Sequence, residues 1–307
     1  MQRRHFRNVL VNTPEGAGDA AVRWVARLAA ATSAKLTLTD VVEPPPAAVR
    51  RYVPPGWHIP RLVRAEKQAH LDRTAARVRR LGVDPAIVML SGSRTKALVR
   101  EVARGHHDLL ATDVSAPHRG TAIGLVRECP CPVLLARPST RRRRRRVLVA
   151  VDAGMSSADT TAAFNHALLE MGAWLAECQG GELHVLHVWV PYGERSLRRS
   201  GVTAPEIQKF FAGIRAEALE DLEPSLAPFR EQIPVDHVHL VKGDPRIEIA
   251  RFAAAHGIDL LVIGTVARKG LMARVIGNTA EALLATIPCS MLVMKPVRGG
   301  RRRITQR

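Results

Sequence analysis

Short runs of consecutive apolar residues, rich in Val, Leu and Ile, recur along the chain. Between them lie longer stretches in which apolar residues return every three or four positions. The runs suit strands buried on both faces, and the longer stretches have the period of helices packed on one side. The pattern predicts first-half strands at 6–12, 35–42, 86–91, 109–112 and 133–137, with helices at 19–31, 62–81 and 96–105. It predicts second-half strands at 146–151, 182–189, 235–241, 260–264 and 290–295, with helices at 158–177, 205–229, 247–256 and 280–286. A loop and a helix are expected before the last strand of each half. Such alternation implies α/β architecture: parallel sheets, helices on both faces and right-handed crossovers. Ligands of such sheets sit beyond the carboxyl ends of the strands.

The two halves repeat one another. Val9-Leu10-Val11 matches Val147-Leu148-Val149 at an offset of 138. Gly92 matches Gly243, and His107-Asp108-Leu109-Leu110 matches Ile258-Asp259-Leu260-Leu261, both at 151. Cys131-Pro132-Val133-Leu134-Leu135 matches Cys289-Ser290-Met291-Leu292-Val293 at 158. Offsets that stay constant across whole elements mark a tandem repeat. The second copy therefore carries 13 extra residues before Gly243 and 7 more in the loop after Gly264.

That loop holds the densest candidate chemistry. Leu260-Leu261-Val262-Ile263 is a buried-strand run, and Gly264 ends it. Arg268, Lys269 and Gly270 form a basic loop, then Gly277, Asn278 and Thr279 lead into a helix. A glycine at a strand end lets a ligand approach the backbone, and a helix start offers free N–H groups and a positive dipole end. The arrangement is a plausible phosphate cradle; a strand–loop–helix turn that binds nothing is the plain alternative. The spacings of a P-loop and of a dinucleotide fingerprint are both absent.

The stretch resembles the C-terminal signature of the universal stress protein family: Gly, two residues, Gly, nine residues, Gly, then Ser or Thr. Gly264 and Gly277 fill the first and third places, Ala267 stands at the second, and Asn278 replaces Ser or Thr, with Thr279 following. GNTAE with a closing strand ending in Lys295-Pro296 is most similar to the tandem, universal stress protein E-like branch. The resemblance spans 6–138 and 146–296 and implies two Rossmann-like domains, each with a five-stranded parallel sheet. It implies that the second binds ATP or a related nucleotide without catalysis. By that resemblance Asp152 contacts the nucleotide, Val188 packs on the adenine, Gly243 lies near the ribose and Ile263 lends backbone contacts. Read without it, Asp152 is equally a cap or Asx turn, and Val188 plain core. Such proteins pair domains through the last strand, so 133–137 and 291–295 are expected to pair within the chain; a homodimer is the other option. Ala267 would disfavour a positive φ by about 1 kcal/mol, which weakens or removes binding.

The first copy lacks this equipment. Asp113 stands where Gly264 does, Pro14 stands opposite Asp152, and a carboxylate at a phosphate position repels the ligand. This copy is expected to supply sheet and interface only.

Charge alters the picture less than its total suggests. The net +18 divides into +11 over 1–139, four arginines over 140–144, −2 over 145–297 and five arginines in the tail. The half with the cradle is nearly neutral, so nucleic acid is an unlikely partner, although linker and tail would attract polyanions at low salt. The expected boundaries are 1–139, an Arg-rich linker at 140–145, 146–297, and a basic, disordered tail at 298–307. Prolines make 43–61 an irregular loop, a lid or a spacer. No apolar run spans a membrane and no secretory leader stands at the start, so a cytoplasmic chain is expected. Cys129-Pro130-Cys131 is one residue short of a redox CxxC, and the four cysteines are read as reduced thiols without a zinc pattern. No catalytic motif is present, and His187 reads as a satisfied core histidine. A scaffold acting through an unknown protein partner remains the competing function.

Overall fold

The computed structural model describes residues 6–16, 18–50, 52–54, 57–114, 119–138, 145–152, 158–265 and 278–296. Its first half runs β1 (Asn8–Asn12), α1 (Ala20–Thr32), β2 (Lys35–Val42), α2 (Ala47–Arg50), α3 (Ile59–Arg79), β3 (Ala86–Ser91), α4 (Arg94–Arg104), β4 (Leu109–Asp113), α5 (Arg119–Glu128) and β5 (Val133–Ala136). Its second half runs β6 (Arg146–Val151), α6 (Ala158–Cys178), β7 (Glu182–Trp189), α7 (Glu194–Arg199), α8 (Ala204–Leu226), β8 (Val238–Lys242), α9 (Pro245–Ala255), β9 (Leu260–Gly264), α10 (Asn278–Thr286) and β10 (Ser290–Met294).

All ten strands form one sheet in the order β3-β2-β1-β4-β5-β10-β9-β6-β7-β8. Within each half every pairing is parallel, and the halves meet through one antiparallel pair, β5 with β10. Met291 lies opposite Leu135, Leu292 opposite Leu134 and Val293 opposite Val133. The expected pairing of the two last strands is thus present inside a single chain, and the two five-stranded parallel sheets are one continuous surface. Arg127 on α5 pairs with Glu281 on α10, and Phe6 meets Trp174 edge-on at 5.5 Å.

The central strands are wholly enclosed: Val9, Leu10, Val11, Val147, Leu148 and Val149 have no exposed surface. Helices cover them through the faces their sequence prepares. In α3, buried Leu71, Thr74, Ala75 and Val78 follow the three-and-four spacing of one helical stripe. In α6, Gly172 permits close contact, since a Cβ there would lie 2.2 Å from Val149 Cγ2. Thr203 and Glu206 cap α8, with the Thr203 amide donating to Glu206 Oε2 at 2.9 Å.

The repeat has a structural counterpart in detail. Asp108 accepts the Asn8 amide at 3.0 Å and Asp259 accepts the Arg146 amide at 3.1 Å, so each repeated Asp fastens the first strand of its half. Gly92 and Gly243 have φ of +112° and +150°, and each donates its amide to the end of the second strand of its half, at Val42 and Trp189. Two expectations need correction. The irregular loop over 43–61 contains α2 and the start of α3. The strand expected at 235–241 begins only at Val238, because Val235–His237 winds into a 3-10 turn. The short helix α7 lies between β7 and α8, where the first half has α2, and its six residues carry too little periodicity to announce it.

Candidate functional site

The carboxyl ends of β6, β7, β8 and β9 bring together much of the expected site. In register, Ala150 lies beside Ile263 and Val188 beside Val241. Asp152 follows β6 with an exposed side chain, while its backbone is held by Asn165: the Asp152 amide donates to Oδ1 at 3.3 Å and Asn165 Nδ2 donates to the Asp152 carbonyl at 2.7 Å. Val188 and Ile263 are buried. Thr265 donates its amide to the Met294 carbonyl at 2.8 Å, which fixes the chain just after Gly264. Asn278 opens α10 and Thr279 is half-buried behind it. Arg268, Lys269, Gly277 and Ala267 lie outside the described residues.

Both site glycines also answer to packing. A Cβ on Gly264 would stand 2.3 Å from Phe164 Cε1, and one on Gly243 would stand 2.5 Å from Glu248 Cγ. Gly264 therefore admits Phe164 of α6 against the strand end, whatever else it admits. Asp244 caps α9 by accepting the Arg246 amide at 2.9 Å.

The same end of the first half is filled by its own side chains. Arg94, at the start of α4, is 6% exposed and Asp40 of β2 is fully enclosed. Arg94 Nη1 donates to Asp40 Oδ1 at 2.8 Å, and Nε donates to Glu43 Oε2 at 3.2 Å. Lys67 Nζ of α3 donates to the other Asp40 oxygen at 2.6 Å. Sequence reasoning missed this network. Its trace was there, because Arg94 stands where the second copy has Pro245 and Asp40 where it has His187, each the sixth residue of an eight-residue strand in the case of the latter pair.

Asp113, expected to repel a ligand, has turned to a different task. Its Oδ1 accepts the Ala21 amide at 3.1 Å, placing a carboxylate at the N-terminus of α1, where the helix dipole favours it. Its Oδ2 is buried without a hydrogen-bond partner among the described residues. Burial pushes the acid up to about 6, against the pull of the α1 amides. Below the unfolded value of 3.8 both states carry the proton and nothing is lost. As the pH rises from there to about 6 the unfolded chain ionises first, so stability falls and stays lower above. Asp113→Asn is expected to exceed the parent by about 2 kcal/mol at neutral pH in urea unfolding, with the gap closing in acid. A gap independent of pH would contradict this.

Two relations decide what kind of protein this geometry belongs to. The universal stress protein family profile matches residues 5–137 and, separately, residues 143–295. The chain belongs to the universal stress protein family. Among curated relatives, a universal stress protein E homolog from Haemophilus influenzae is 29% identical over 219 residues, covering 68% of this chain and 69% of that one. Universal stress protein E of Escherichia coli K12 is 27% identical over 212 residues, covering 66% and 65%. Among solved structures, a functionally unknown protein from Pseudomonas aeruginosa PAO1 aligns with a TM-score of 0.68 at 22% identity, covering 95% of this chain and 93% of its own. A universal stress protein from Archaeoglobus fulgidus aligns at 0.63 and 17% identity, covering 94% and 96%.

This universal stress protein is thus a tandem-domain member similar to universal stress protein E, and membership carries a role in the stress response. In its second half the buried histidines pack against other histidines and against a backbone carbonyl. His187 is buried, with Nδ1 donating to the Val151 carbonyl at 3.1 Å, as a core histidine should. His184 and His237 stack at 4.0 Å, and His184 Nδ1 lies 3.2 Å from His239 Nε2. Burial, helped by the two neighbouring imidazoles, holds His184 down at about 4, so its ring is neutral at pH 7. Among the described residues no group of three or more ligating side chains is suited to a metal, and no helix is long and apolar enough to cross a membrane.

Proposed function

We propose that the second domain binds ATP or a related nucleotide at the carboxyl ends of β6 to β9, and that the protein serves the stress response through this bound state, in the cytoplasm and without catalysis. The observation that carries the reading is the asymmetry between the halves. Arg94 and Asp113 fill the first crevice, and Pro245 and Gly264 stand at the matching places in the second. In this reading Asp152 accepts hydrogen bonds from the base or ribose, Val188 packs on the adenine and Gly243 borders the ribose. Ile263 lends backbone groups. Gly264, Gly277, Asn278 and Thr279 cradle the phosphates, and Arg268 and Lys269 balance their charge. The functional units are 1–139, the linker at 140–145, 146–297 and the tail at 298–307.

A second reading has its own support. Phe164 already explains Gly264, and Ala267 departs from the family signature. On that reading the protein is a scaffold, or a homodimer, acting through protein contacts. Calorimetric titration with ATP separates the two, on the intact chain and on Gly277→Asp. Saturable binding near one per chain, lost in the variant, supports the nucleotide site. Absence of heat from two folded proteins moves the assignment to the scaffold.

A further inference from the structure

The first domain holds two thiols in near contact, a feature without counterpart in the second. Cys129 Sγ and Cys131 Sγ lie 3.5 Å apart. In the second copy Ile287 stands at the position of Cys129, leaving Cys289 without that neighbour. We propose that Cys129 and Cys131 are an oxidisable dithiol, converted by hydroperoxides into an intrachain disulfide.

Three observations carry this. First, the pair is preorganised. Pro130 fixes its own φ and restricts Cys129 to extended backbone, and the Cys129 amide is tied to the Leu125 carbonyl at 2.9 Å at the end of α5. The sulfurs need to close by only about 1.5 Å to reach bonding distance.

Second, the environment distinguishes the two thiols. Lys295, from the end of β10, reaches across the domain junction and donates to the Cys129 carbonyl at 2.6 Å and to the Arg127 carbonyl at 2.9 Å. The hydrogen bond from Cys131, with the Lys295 charge nearby, holds the Cys129 thiol below its usual range, while the same shared proton and burial push Cys131 up. Cys129 is therefore the nucleophile and Cys131 the resolving thiol. The other two cysteines are pushed the opposite way by burial, Cys289 to about 12.

Third, Cys131 has 9% of its surface exposed and Cys129 none, so a small oxidant enters from the Cys131 side and meets Cys129 through local opening of the shell around the pair.

The chemistry balances with one hydroperoxide. The Cys129 thiolate attacks a peroxide oxygen, the O–O bond breaks, and the departing alkoxide or hydroxide takes up a proton. Cys129 is then a sulfenic acid. The Cys131 sulfur attacks it, the S–S bond forms, and hydroxide leaves with the thiol proton as water. Two electrons have passed from the sulfurs to the peroxide, and a thiol reductant returns them.

The test uses the intact protein: brief hydrogen peroxide treatment, quenching, unfolding, alkylation, digestion and mass spectrometry. The peptide holding both cysteines is expected to escape alkylation and to be lighter by two hydrogens, with dithiothreitol reversing both effects. Cys178 and Cys289 should remain alkylatable. In Cys131→Ser, a nearly isosteric change, Cys129 is expected to be trapped by dimedone as a sulfenic acid, with the two-hydrogen loss abolished. Full alkylation of Cys129 and Cys131 in the parent protein, at peroxide levels that already oxidise Cys178, would overturn the proposal. So would a Cys129 disulfide that forms only between chains.

Discussion

Arg94→Met is expected to cost about 3 kcal/mol of folding free energy, read as a lower urea midpoint at unchanged slope. The Asp40 carboxylate is enclosed on every side and is neutralised from two directions, by Arg94 at 2.8 Å and Lys67 at 2.6 Å. Met fills the volume of the Arg stem but leaves half of that neutralisation missing in a place water does not reach. Removing one partner of a buried pair is costly because the other charge is stranded, whereas removing both costs far less. Arg94→Met combined with Asp40→Leu is therefore expected to be less destabilised than Arg94→Met alone. A single substitution costing under about 1 kcal/mol would mean that water reaches Asp40 in the folded protein.

The second large effect is expected at the junction between the halves. Leu292 of β10 and Leu134 of β5 face each other across the antiparallel pair, and neither has exposed surface. Leu292→Ala removes buried methyl groups and leaves a void, at a cost of about 3 kcal/mol. Its diagnostic value lies in which half responds. One apolar cluster holds Val9, Val11 and Leu134 together with Val147, Val149 and Leu292, so the halves share a core. Trp24 reports on the first half and Trp189, packed on Phe211, on the second. Single-tryptophan versions of the parent are expected to unfold in one coincident transition, and Leu292→Ala should lower both by the same amount. Two separated transitions, with only that of Trp189 displaced, would show that the halves fold independently.

Much of the scaffold was legible because burial on both faces writes itself into consecutive residues. The bounds of β2, β3, β6, β7 and β9 coincide with the Val, Leu and Ile runs. The repeated Asp108 and Asp259, visible only as a constant offset, proved to be matching fasteners of β1 and β6. What escaped notice depends on contacts between residues distant in sequence. Arg94 and Asp40 are 54 positions apart, and nothing in a surface-rich count of arginines marks one as enclosed. Gly264 was read as an opening for a ligand. Phe164, exactly one hundred positions earlier in the chain, supplies a packing reason that no local pattern contains. The cradle is legible as spacing and resemblance alone, because its glycines and basic residues are close neighbours in sequence.

The antiparallel seam between β5 and β10 has a consequence for how such a protein changes over generations. When two identical chains associate, every substitution appears twice, and plugging one crevice plugs its twin. Fusing the halves into one polypeptide breaks that symmetry while keeping the shared sheet. In one polypeptide the halves are free to differ at matching positions, and they do: Arg94 and Asp113 stand in the first, Pro245 and Gly264 in the second.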